Sequence, residues 1–91
     1  SVEVVETPGH TPGSVTLKLP AEHVLFTGDT LFRSSIGRTD LEGGDFAQIM
    51  HSLKKLADLP GDWQVYPGHE GTTTLDQERR WNDYLIQAMG L

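Results

Sequence analysis

Three polar residues stand out by type and by neighbour: His10, Asp29 and His69. Each directly follows a glycine, in the pairs Gly9-His10, Gly28-Asp29 and Gly68-His69. Glycine lets the backbone turn sharply, so the next side chain projects from the end of the preceding element. Each pair comes just after a segment that reads as a strand. If those strand ends are neighbours, two imidazoles and one carboxylate converge on a point. That donor set is of borderline hardness and suits zinc, iron or manganese. A lone loop histidine is more often solvated or hydrogen bonded, so the inference rests on convergence and not on any one residue. His23 has no glycine neighbour, and His51 lies in a helical stretch near Met50 and Leu53; both read as structural. Asp40, Glu42 and Asp45 could form a hard-cation site, but a solvated loop with a helix cap explains them more simply.

Other chemistries find no support. There are no cysteines, which removes disulfides, thiolate metal sites and a cysteine nucleophile. No Gly-X-Ser-X-Gly elbow is present for a serine triad. No glycine-rich loop precedes a Lys-Ser or Lys-Thr pair to cradle phosphate.

The elements that must position the three residues can be read in order. Val2–Glu6 is β-branched and weakly alternating, as in a strand. Residues 7–13 hold Pro8-Gly9 and Pro12-Gly13 and must be a loop. Val15, Leu17 and Leu19 alternate with Thr16 and Lys18, as in a half-buried strand. His23–Thr27 reads as a short strand buried on both faces. Residues 28–44 form a glycine-rich loop, long enough to suggest function. Asp45 caps a helix whose apolar stripe is Phe46, Ile49, Met50, Leu53, Leu56 and Ala57, stopped by Pro60-Gly61. Trp63–Tyr66 is a further strand. Thr74 with Gln77 forms a capping box for one last helix over 75–89, burying Trp81, Tyr84 or Leu85, and Ala88 or Met89. The expected architecture is α/β: one mixed sheet with helices on one face and nothing in the chain to cover the other.

With 91 residues there is room for one small domain over 1–91. The net charge of −6, with no basic block, argues against nucleic acid. No apolar run approaches a membrane span, and a cytoplasmic location is the expectation. The chain opens inside a strand, which predicts a piece of something larger.

Thr7-Pro8-Gly9-His10-Thr11-Pro12-Gly13-Ser14, Phe26-Thr27-Gly28-Asp29-Thr30-Leu31-Phe32 and Tyr66-Pro67-Gly68-His69 resemble the later three metal motifs of the metallo-β-lactamase-fold hydrolases. Gly37-Arg38-Thr39-Asp40, Gly43-Gly44-Asp45, Thr73-Thr74-Leu75, Glu78-Arg79 and Asn82 extend the likeness, which is greatest to single-domain glyoxalase II-type (hydroxyacylglutathione hydrolase-like) proteins. The resemblance implies the C-terminal αβ half of an αβ/βα sandwich. By motif, His10 would bind a first metal, Asp29 would bridge two, and His69 would bind the second. In such enzymes a metal-bridging hydroxide attacks a thioester or other acyl carbon.

The family's His-X-His-X-Asp-His motif is absent. Up to two ions, zinc or else iron or manganese, are expected in a full-length protein. Weak or partial binding and no turnover are expected of this chain alone. The loop Gly37-Arg38-Thr39-Asp40 reads as self-bracing, with Arg38 either paired with Asp40 or facing a substrate anion; Arg38 also stands where glyoxalase II enzymes carry a basic residue facing glutathione, so the resemblance makes it the candidate substrate-binding residue for a small-molecule thioester. Gly37-Arg38-Thr39-Asp40 also resembles persulfide dioxygenases of the same superfamily, which use one iron. Glu70 replaces a common glycine. An uncovered sheet face also predicts self-association, with two copies packed face to face as a homodimer.

Overall fold

The computed structural model describes residues 1–91. Strands β1 (Glu3–Glu6), β2 (Val15–Leu19), β3 (Val24–Gly28), β6 (Gln64–Pro67) and β7 (Thr73–Thr74) form a sheet of order β1-β2-β3-β6-β7. A hairpin of β4 (Leu31–Phe32) and β5 (Ser35–Ile36) lies between β3 and helix α1 (Phe46–Ala57); helices α2 (Leu75–Trp81) and α3 (Asp83–Met89) close the chain. All strand pairings are antiparallel except β3 with β6. The sheet is mixed, as the α/β reading requires.

That topology fixes where the three glycine-led loops emerge. β3 and β6 are parallel neighbours, so Asp29 and His69 leave the sheet at one edge. β1 is antiparallel to β2, which is antiparallel to β3, so β1 also runs toward that edge and delivers His10 there.

One sheet face meets the helices. Leu25 and Val65 join Ile49, Met50, Leu53, Leu56 and Ala57 of α1, with Leu75, Leu85 and Ala88 from α2 and α3, in a single core. Asp45 caps α1 by accepting from the Gln48 amide, and Thr74 caps α2 by accepting from that of Gln77.

The opposite face is bare and apolar. The register aligns Val4, Leu17, Phe26 and Tyr66 in one row across four strands, and all four are exposed. Two expectations are corrected by this row. β3 is not buried on both faces, since Phe26 is open. In β2 the polar alternates turn inward: Thr16 is fully buried while Val15 and Leu17 are exposed. The apolar phase of β2 belongs to the face that this chain does not cover, and Thr16 is tolerated inside because its hydroxyl is bonded to that of Thr7.

Three further expectations are revised. The stretch 28–44 is not structureless, because it holds the β4–β5 hairpin. The last helix is broken at Asn82, whose side chain caps α3 by accepting from Tyr84 and Leu85 while its own amide ends α2. That break rotates the helix face, so Leu85 and Ala88 are buried while Trp81 is 70% exposed and Tyr84 and Met89 are open. Phe46, at the start of the α1 stripe, is exposed as well, because the first helical turn extends past the core.

Candidate metal centre

The loop carrying His10 is pinned from both sides. The Thr7 amide donates to Ser14, and the Asp45 amide donates to the Gly9 carbonyl. Gly9 has φ +143°, and a Cβ there would overlap Ile49 of α1, so only glycine lets the loop lie this close to the helix. The Ser52 hydroxyl donates to the Pro8 carbonyl at 2.7 Å. Below the loop, the Thr30 hydroxyl reaches both the carbonyl (3.2 Å) and the hydroxyl (3.1 Å) of Thr7. The buried threonines 7, 16 and 30 thereby tie the His10 loop to the Asp29 turn. On the other side, the Gly68 amide donates to the Gly28 carbonyl at 2.8 Å and holds the His69 loop against the same turn.

These constraints bring the three side chains together on Asp29. His10 Nε2 lies 3.6 Å from Asp29 Oδ2, and His69 Nε2 lies 3.3 Å from Asp29 Oδ1. His10 Nδ1 is 2.8 Å from the Arg38 carbonyl, which has no proton to give, so Nδ1 is the donor. In the neutral ring Nε2 is then a bare lone pair facing a carboxylate oxygen. Two acceptors facing one another is a cation-seeking arrangement. Ligands about 2.1 Å from a tetrahedral ion stand about 3.4 Å from each other, which matches both separations. No three His, Cys, Asp or Glu side chains form a closed cage for one ion. Asp29 instead offers one oxygen to each histidine, as two candidate half-sites sharing a carboxylate. The side chain of His10 is 24% exposed and that of His69 73%, so the second half-site opens to solvent. Phe32 of the hairpin meets the His69 ring edge-on, with centroids 5.7 Å apart.

Arg38 does not extend from the rim as a free cation. Its Nε and NH2 donate to the two oxygens of Asp40, both at 2.9 Å. The hydrogen bond from Arg38 is the main reason that the Asp40 carboxyl is lowered to about 2 and that the guanidinium is pushed up. His23 and His51 are away from this cluster: His23 bonds to Asp62 and stacks on Trp63, and His51 bonds to Ala47. Asp45 is a cap, as expected.

Sequence reasoning missed what supports the hairpin. Glu78 is fully buried and accepts from the Ser34 amide (2.7 Å), the Thr73 hydroxyl (2.8 Å) and the Asn82 amide (2.9 Å). The Asn82 amide also donates to the carbonyls of Phe32 (3.3 Å) and Ser35 (3.0 Å). The available signal was the i, i+4 spacing of Glu78 and Asn82, which puts two polar side chains on one helical face.

A sequence model of the metallo-beta-lactamase superfamily matches residues 1–69. The chain belongs to that superfamily. Hydroxyacylglutathione hydrolase of Brucella ovis is 52% identical over 71 residues, covering 78% of this chain and 27% of that protein. The crystal structure of TTHA1623 in a di-iron-bound form superposes with a TM-score of 0.88 at 44% identity, covering 91% of this chain and 42% of that one. ETHE1 from Myxococcus xanthus does so with a TM-score of 0.84 at 34% identity, covering 98% and 44%. The chain therefore spans between 27% and 44% of the length of these relatives.

Proposed function

We propose that this chain is the C-terminal half of a metal-dependent hydrolase acting on a small-molecule thioester, with His10, Asp29 and His69 as metal ligands. The observation that carries this reading is the two Nε2 atoms facing the two oxygens of Asp29, at separations that suit a bound ion between each pair. The likeness to a hydroxyacylglutathione hydrolase supports the thioester, and a related structure in a di-iron-bound form supports a pair of metal ions, zinc or iron. When bound, such ions polarise an acyl oxygen and acidify water at neutral pH. The residues of this chain supply shared charge through Asp29, an oriented imidazole at His10 and an open, solvent-facing imidazole at His69.

Each half-site has only two of these ligands, so the isolated chain binds metal weakly and does not turn over. The bare row Val4, Leu17, Phe26 and Tyr66 is where the rest of the parent protein packs; in the isolated chain a second copy takes that place. Cobalt(II) titration of the chain, read by visible absorbance, tests the ligands. Binding that Asp29→Asn abolishes is expected; equal binding by that variant would end the proposal. A second reading, a mononuclear iron persulfide dioxygenase, is favoured by the Gly37-Arg38-Thr39-Asp40 segment. Assay of the parent protein on a lactoylglutathione-type thioester against a glutathione persulfide separates the two.

A further inference from the structure

We propose that Gly37–Asp40 is a positioning segment that sets the tautomer and aim of His10, acting through the main-chain carbonyl of Arg38. The inference rests on the reading of His10 as a metal ligand. Arg38 then serves by its backbone, and its guanidinium serves to keep that backbone in place.

The argument begins at the contact itself. The Arg38 carbonyl sits 2.8 Å from His10 Nδ1, 28 residues away in sequence. A carbonyl can only accept, so this bond selects the Nδ1–H form and leaves Nε2 free to face Asp29. Without the bond either nitrogen could carry the proton, and a protonated Nε2 cannot ligate. Histidine ligands depend on such a partner at the other nitrogen for orientation.

Two features hold the carbonyl there. The Gly37 amide donates to the Thr30 carbonyl at 3.3 Å, next to Asp29 in sequence. A Cβ at Gly37 would overlap the Asp29 carbonyl oxygen and come within 3.2 Å of His10 Nδ1, so the backbone is wedged between two of the three site residues. On the far side of the carbonyl, the two-pronged bond from Arg38 to Asp40 closes a ring across Thr39. A planar guanidinium on a carboxylate has one good geometry, which limits how the intervening peptides can rotate. The pair is exposed, so it adds little to overall stability; its effect is local.

The test uses the 91-residue chain labelled with nitrogen-15, without metal and then with cobalt(II). Long-range proton–nitrogen correlation spectra report the His10 tautomer. The Nδ1–H form is expected to dominate in the native chain. In Arg38→Ala and in Asp40→Asn the His10 spectrum is expected to shift toward a mixture of tautomers, with cobalt affinity down about tenfold and unchanged thermal melting. The exchanged pair, Arg38→Asp with Asp40→Arg, is expected to restore both. A His10 tautomer that is the same in all four proteins would overturn the proposal, as would Nε2–H in the native chain. Failure of the native chain to bind cobalt while His10 keeps the fork-dependent tautomer would instead count against the metal-dependent function, and leave the positioning role standing.

Discussion

The Asp40 carboxyl is lowered to about 2, first by the Arg38 hydrogen bond. For an acid held below its ordinary value near 4, the contribution of the pair is complete above that value and is lost as pH falls through about 2. The fork is thus expected to stay closed at pH 5 and to open near pH 2. Carbon-13 titration of the Asp40 carboxyl should have its midpoint near 2, and Arg38→Ala should return it toward about 4. Glu70 has φ +67°, in the left-handed region where a side chain costs about 1–2 kcal/mol. Glu70→Gly is expected to stabilise the chain by up to about 1 kcal/mol, since glycine's extra freedom when unfolded offsets part of the relief. Thermal unfolding would register a rise of a few degrees. The departure from glycine noted in the sequence therefore has a conformational meaning that only the backbone angle reveals.

At the scale of elements, the strands, the first helix and its cap followed from periodicity, while the second half of the chain was read too simply. A helix over 75–89 is the natural reading of an uninterrupted polar-apolar stretch without proline. Asn82 breaks it because its side chain serves three ends at once: the start of α3, the carbonyls of the hairpin and the buried Glu78 carboxylate. The hairpin went unseen for a related reason, since two-residue strands have no period to detect. Its position depends on a carboxylate far along the chain. Asn82→Ala removes a cap worth about 1 kcal/mol and strands buried acceptors at a further cost of about 1–3 kcal/mol. Chemical denaturation should show a loss of about 3 kcal/mol, summing those two effects. The same variant should weaken the Phe32 contact to His69, visible as sharper His69 ring resonances. A denaturation midpoint equal to that of the native chain would show that the network is dispensable.

For the whole molecule, the decisive feature is a sheet with one dressed face. No helix is long and apolar enough to cross a membrane. The exposed row Val4, Leu17, Phe26 and Tyr66 is contiguous across four strands, with Phe26 and Tyr66 stacked at 5.4 Å. Contiguous apolar surface of this kind drives association. Sedimentation of the isolated chain is expected to show a dimer at micromolar concentration, and Phe26→Lys is expected to give a folded monomer. A native chain that sediments as a monomer throughout would remove self-association from the account.

The sequence by itself determined the superfamily, the mixed α/β order and which three polar residues follow a glycine at a strand end, because motif and periodicity are local properties that survive in a linear string. Tertiary structure alone decided which side of β2 is inward, where the last helix breaks and which nitrogen of His10 is free. Each of those depends on a partner outside its own element: the Thr7 hydroxyl, nine residues away, for Thr16, the Phe32 and Ser35 carbonyls, 50 and 47 residues away, for Asn82, and the Arg38 carbonyl, 28 residues away, for His10. A buried polar group goes where its hydrogen bond can be made, and that place exists only once the chain has folded.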